Sequence, residues 1–113
     1  MRYRITGIIR KKGTKTGIPG LLVSAYDADL FFDDLLGTAT TDDKGFFEMI
    51  YSEKDFRELF DAKPDIYLKV YAPSHRLLLE TTDPVRFNAS EQEHFDLELE
   101  YRTLGYTSPK LAE

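Results

Sequence analysis

The chain has 113 residues, a 42% hydrophobic and 13% aromatic content, a formal net charge of −5 and no cysteine. That length fits one domain able to close a single core without metal or disulfide staples, and the missing thiols remove disulfide scaffolds, thiolate metal sites and cysteine catalysis. The acidic balance excludes nucleic acid and anionic membrane as partners, because phosphate binding needs clustered cations and only Arg10, Lys11, Lys12 and Lys15 lie close together.

Tyr3, Ile5, Gly7 and Ile9 alternate with Arg2, Arg4, Thr6, Ile8 and Arg10, which predicts a first strand with one apolar face. Gly7 marks close packing or a bulge. After a polar loop, Gly17-Ile18-Pro19-Gly20 predicts a turn into a second strand over residues 21–27, with Leu21, Val23 and Ala25 on one face and Ser24 and Tyr26 on the other. Residues 27–34 form an acidic loop interrupted by Phe31 and Phe32. Strands are predicted over residues 35–41 and 46–51, and the acidic, glycine-ended turn Asp42-Asp43-Lys44-Gly45 between them reads as a hairpin.

Ser52-Glu53-Lys54-Asp55 resembles an N-capping box with aspartate in the glutamate position, and Phe56, Leu59 and Phe60 follow at helical spacing. One short α-helix is therefore expected around residues 53–61, ending before Pro64. Ile66, Leu68 and Val70 then alternate with Tyr67, Lys69 and Tyr71, and a Pro73-Ser74 turn leads to a strand through Leu77, Leu78 and Leu79 to Thr81. Beyond Pro84, Phe95, Leu97, Leu99 and Tyr101 alternate with His94, Asp96, Glu98 and Glu100 as a half-buried strand. The sum is an all-β, antiparallel β-sandwich of seven or eight strands in one domain over residues 1–103, with residues 104–113 as a flexible tail.

Ile5-Thr6-Gly7, Gly17-Ile18-Pro19-Gly20-Leu21-Leu22-Val23, Thr41-Asp42-Asp43-Lys44-Gly45-Phe46-Phe47 and Pro64-Asp65-Ile66-Tyr67-Leu68-Lys69-Val70 together resemble the transthyretin-like, carboxypeptidase-regulatory-like domains. The resemblance covers most of residues 3–101 and implies a prealbumin-like sandwich with Ig-like Greek-key connections. Such domains are commonly accessory modules of larger proteins. The expected helix and Val85-Arg86-Phe87-Asn88-Ala89 look like the version found in large bacterial multidomain and toxin-complex proteins, which implies an appended or scaffold role.

The same resemblance includes an enzymatic branch, the 5-hydroxyisourate hydrolases, which use histidines and an arginine in a dimer-interface cleft and end in Tyr-Arg-Gly-Ser. This chain has no histidine in its first strand, and Tyr101-Arg102 continues as Thr103-Leu104. His75 in a turn and His94 on a polar strand face read as surface residues, and the His-x-His pair of the related intradiol dioxygenases is absent. The expectation is that the chain is not an enzyme.

Two candidate sites remain. Asp27, Asp29, Asp33 and Asp34 offer the hard carboxylate oxygens that calcium prefers, in a loop that looks locally like the calcium loops of lipid-binding sandwich domains. The alternative is that these aspartates bond nearby turn amides. Phe31 and Phe32 in the same loop, with Tyr26, Tyr67, Tyr71 and Arg4 as a second outward patch, are the candidate contacts for a protein partner or adjoining domain.

The expected function is a non-enzymatic module for protein interaction or structural spacing. The alternatives are a calcium-responsive binding module and, after it, a carbohydrate-binding accessory domain. With no apolar signal core after Met1 and no run near the about 20 apolar residues of a membrane span, a soluble protein is expected, cytoplasmic unless it belongs to an exported multidomain protein.

Overall fold

In a computed structural model of the chain, the residues described are 2–28, 32–52, 63–82 and 85–100. They form seven strands: β1 (Arg2–Lys11), β2 (Leu22–Asp27), β3 (Asp34–Thr40), β4 (Phe46–Ser52), β5 (Ile66–Tyr71), β6 (Leu77–Glu80) and β7 (Gln92–Leu99). No helix occurs among the described residues, and the helix expected around residues 53–61 lies outside them, as does the tail over residues 104–113.

The strands make two sheets, one ordered β4-β1-β7 and the other β3-β2-β5-β6. The alternation seen in the sequence sends one face of each sheet into a common cluster. Ile5 and Ile9 of β1, Phe47 and Met49 of β4, and Phe95 and Leu99 of β7 meet Val23 and Ala25 of β2 and Ile66, Leu68 and Val70 of β5. Burial of seven large side chains with almost no exposure, Ile5, Ile9, Leu21, Val23, Ile66, Leu68 and Val70, supplies the main driving force.

Gly7 confirms its expected role of close packing. A Cβ there would lie 2.3 Å from the Phe47 ring and 2.8 Å from the Phe95 carbonyl oxygen, so the central strand admits no side chain at that point.

Two expectations are corrected. The sheets are not wholly antiparallel: β1 pairs antiparallel with β4 but parallel with β7, from Arg4 opposite Gln92 to Lys11 opposite Leu99. The last strand arrives from the other sheet by a crossover, so its direction is not that of a hairpin partner.

The second correction concerns residues 40–49. The turn between β3 and β4 is no hairpin, since β3 pairs with β2 and β4 pairs with β1 in the other layer. The two strands face each other across the core instead, where a Cβ on Gly37 would sit 3.4 Å from Met49 Sδ. The consecutive strands that do pair antiparallel are β2 with β3 and β5 with β6, the second pair closed by the His75 amide donating to the Ala72 carbonyl at 2.8 Å.

The corner is held by the other glycine-rich motif. The Thr41 hydroxyl donates to the Ile18 carbonyl at 2.7 Å and accepts from the Leu21 amide at 2.9 Å, while the Gly20 amide donates to the Thr41 carbonyl at 3.0 Å. Gly45, at φ 81°, accepts at its carbonyl from the Ile9 amide. Gly17 crosses so close that a Cβ on it would fall 1.8 Å from the Lys44 carbonyl oxygen. Two sequence motifs twenty residues apart are thus one structural joint.

Candidate functional site

The outer face of the β3-β2-β5-β6 sheet collects most of the residues that the sequence marks for partner contact. Because β2 and β5 are paired with Tyr26 opposite Tyr67 and Leu22 opposite Tyr71, the residues that point away from the core lie in rows across the sheet. Leu35, Tyr26 and Tyr67 make one row; Thr38, Ser24, Lys69 and Glu80 the next; Thr40, Leu22 and Tyr71 the third. A bulge between Ala25 and Tyr26 sets Leu35 into the first row.

The tyrosines are brought together as expected, but not as a free platform. The Tyr26 and Tyr67 rings stack with centroids 5.3 Å apart, and the Lys69 ammonium lies 5.1 Å from the Tyr26 ring centroid. The Tyr67 hydroxyl donates to Asp33 Oδ2, and Tyr67 is only 5% exposed. Burial, reinforced by that carboxylate, pushes the Tyr67 phenol well above its ordinary range. Tyr71 is also raised, by burial first and by Tyr26 second. Tyr67 is therefore corrected from partner contact to support: it props Tyr26 and anchors Asp33. Arg4 is corrected as well, because it stands on β1 in the other sheet, paired with Glu48 at 3.2 Å.

Large apolar side chains are exposed on this sheet and in the segment that leads into β3. Phe32 is 82% exposed and Leu35 53% exposed, and Leu77 projects at the far edge with 42% exposure. Phe31 lies outside the described residues.

The aspartates do not gather into one ligand set. Asp27 is 7% exposed and its Oδ1 accepts the Asp65 amide at 2.8 Å; Asp65 in turn accepts the Asn88 amide at 2.9 Å. Asp33 is engaged by Tyr67, and Asp34 sits opposite Asp27 in the ladder. Asp29 lies outside the described residues, and among the described residues no group of three or more His, Asp or Glu could hold a metal ion. Asp27 and Asp33 thus fasten the fold, although not by bonding nearby turn amides: their partners are a backbone amide 38 residues away and a tyrosine hydroxyl 34 residues away.

Asp42 behaves in the same way: the Phe46 and Lys44 amides, which donate to its Oδ1 at 2.9 and 2.8 Å, hold its carboxyl below the usual range.

The histidines stand on different sheets. His94 on β7 shares a 2.9 Å hydrogen bond between its Nδ1 and the Thr6 hydroxyl, with the Phe46 ring 6.5 Å away. His75 occupies the β5-β6 turn at φ 71°.

Beside Tyr71 and His75 runs a groove of about 600 Å³, lined also by Leu22, Ser24, Thr38 and Thr40. No motif in the sequence marks Ser24, Thr38 and Thr40 as a site; the usable signal is their size, since Ser24 and Thr38 sit at outward positions between the bulky ones.

A further constellation ties the layers together. Arg86, bridged to Ile66 through both backbone groups, donates from Nη1 to Glu93 Oε1 at 3.0 Å and to the His94 carbonyl at 2.6 Å, with its guanidinium 3.7 Å from the Phe95 ring centroid. Burial alone would raise Glu93, but the Ser90 amide and the Arg86 guanidinium outweigh it and hold the carboxyl below its usual range.

No protein-family model and no curated protein matches the chain. Among solved structures, a 9R-lipoxygenase from Cyanothece PCC8801 is similar at 19% identity and a TM-score of 0.65, over 88% of this chain and 17% of that one. An (S)-allantoin synthase is similar at 10% identity and a TM-score of 0.58, over 88% of this chain and 40% of that one. At these identities the likeness is one of fold, and the chain spans well under half of either protein. Among the described residues no helix is long and apolar enough to cross a membrane.

Proposed function

We propose that the chain is a transthyretin-like sandwich module with a non-enzymatic, accessory role, and that it holds a protein partner or an adjoining domain against the outer face of the β3-β2-β5-β6 sheet. The observation that carries this reading is the strong exposure of Leu35, beside a tyrosine row that is already braced from behind, and of Phe32 in the segment that leads into the same strand. Large apolar side chains around rigid aromatics are the composition of an interface centre. The two-layer likeness to segments of much longer proteins supports an appended module, and the separation of His75 and His94 on different sheets speaks against a hydrolase centre built on them.

Site-specific photo-crosslinking tests the reading. A photoreactive residue in place of Phe32 or Leu35 should give one discrete adduct in the producing cell, and the same residue in place of Ile50 on the other sheet should not. Adducts that are equally diffuse from all three positions would refute it.

A further inference from the structure

The groove at the other end of that face has a chemistry of its own. Ser24 and Thr38 lie opposite each other in the ladder, between the larger Tyr26 and Tyr71 in the flanking rows, so the sheet surface is depressed where they stand. The resulting groove is open to solvent and has a volume of about 600 Å³. Four hydroxyls, of Ser24, Thr38, Thr40 and Tyr71, and the His75 imidazole line it with Leu22 and Ala39.

Among the described residues, no acidic residue, lysine or arginine appears in the lining. Lys69, the cation nearest in the ladder, has its ammonium over the Tyr26 ring.

We infer that this groove binds a neutral saccharide. The lining offers an ionic ligand no charge of its own, Lys69 beside Ser24 being held over the Tyr26 ring, and a purely apolar ligand would leave the hydroxyls without partners at a cost of about 1–3 kcal/mol each. A sugar satisfies both demands, since its hydroxyls donate to and accept from the serine, threonines and imidazole while its C–H face lies on the Tyr71 ring. The site is separate from Phe32 and Leu35, so it goes beyond the accessory role proposed above and stands or falls independently of it.

Titration of the full chain with maltotriose, cellotriose and N,N′-diacetylchitobiose, followed by amide chemical shifts, tests the inference. At least one should shift Ser24, Thr38, Thr40 and His75 saturably. Thr38→Val, on an exposed edge-strand position, should weaken that binding by about tenfold, the effect of one neutral hydrogen bond. Thr6→Val on the other sheet should leave it unchanged. Silence from all three sugars, shifts centred elsewhere, equal binding of a trigalacturonate, or indifference to Thr38→Val would each overturn the assignment; so would preferential binding of an uncharged peptide along β3.

Discussion

The corner between β3 and β4 and the outer face of the β3-β2-β5-β6 sheet are built on opposite terms. At the corner, the Thr41 hydroxyl and the Asp42 carboxylate are engaged by backbone groups of Ile18, Leu21, Lys44 and Phe46, and Gly17 passes in close contact with Lys44 and Gly45. On the face and in the segment that leads into β3, Leu35 and Phe32 present large apolar surface to solvent, and a hydroxyl-lined groove stands open. The residues that look most distinctive in the sequence therefore serve the fold, and the plainer ones form the proposed contact surface. Substitutions should separate the two regions cleanly.

The largest effect is expected at Gly17. Gly17→Ala places a Cβ against the Lys44 carbonyl, where neither backbone segment has room to move, and should cost about 3 kcal/mol or prevent folding. Urea denaturation, read at an unchanged slope, measures it. Thr41→Val comes next: it keeps the shape but strands the Leu21 amide and the Ile18 carbonyl in a buried site, for an expected loss of about 2 kcal/mol.

Asp42 should govern part of the acid limb. Its carboxyl is held below the ordinary value by the Phe46 and Lys44 amides, so its contribution is fully present above the unfolded pKa and disappears as pH falls through the lower folded one. Asp42→Asn should flatten the fall in melting temperature below about pH 4 while the Glu93 contribution, of the same sign, remains.

On the face, Leu35→Glu should change stability by no more than about 0.5 kcal/mol, because its side chain is mostly in water. The smallest effect is expected from calcium. With Asp27 bound to the Asp65 amide and Asp33 to Tyr67, adding calcium or a chelator should leave the melting temperature unmoved.

The strand alternation made much of this architecture legible. Residues 66–71 and 92–99 were readable as strands because apolar side chains recur every second position, and Gly7 announced a close approach. The same periodicity hid the corner. Phe47, Met49 and Tyr51 alternate identically whether β4 lies beside β3 or across the core from it, and an acidic turn ending in glycine serves both arrangements.

Parallel pairing of β1 with β7 was equally invisible, since direction leaves no mark on alternation. At the site, the shared face of Tyr26, Tyr67 and Tyr71 could be anticipated from parity alone. That Tyr67 is buried and Arg4 belongs to the other sheet depends on pairings between distant strands. The capture of Asp27 by Asp65, 38 residues away, is of the same kind.

The most direct test of the contrast sets Leu35→Glu against Thr41→Val, each carrying the photoreactive residue at position 32. Leu35→Glu should keep its stability and lose the crosslinked adduct, whereas Thr41→Val should lose stability and, below its lowered melting temperature, keep the adduct. A Leu35→Glu protein that retains the adduct, or a folded Thr41→Val protein that loses it, would contradict the assignment of contact to the face and of structure to the corner.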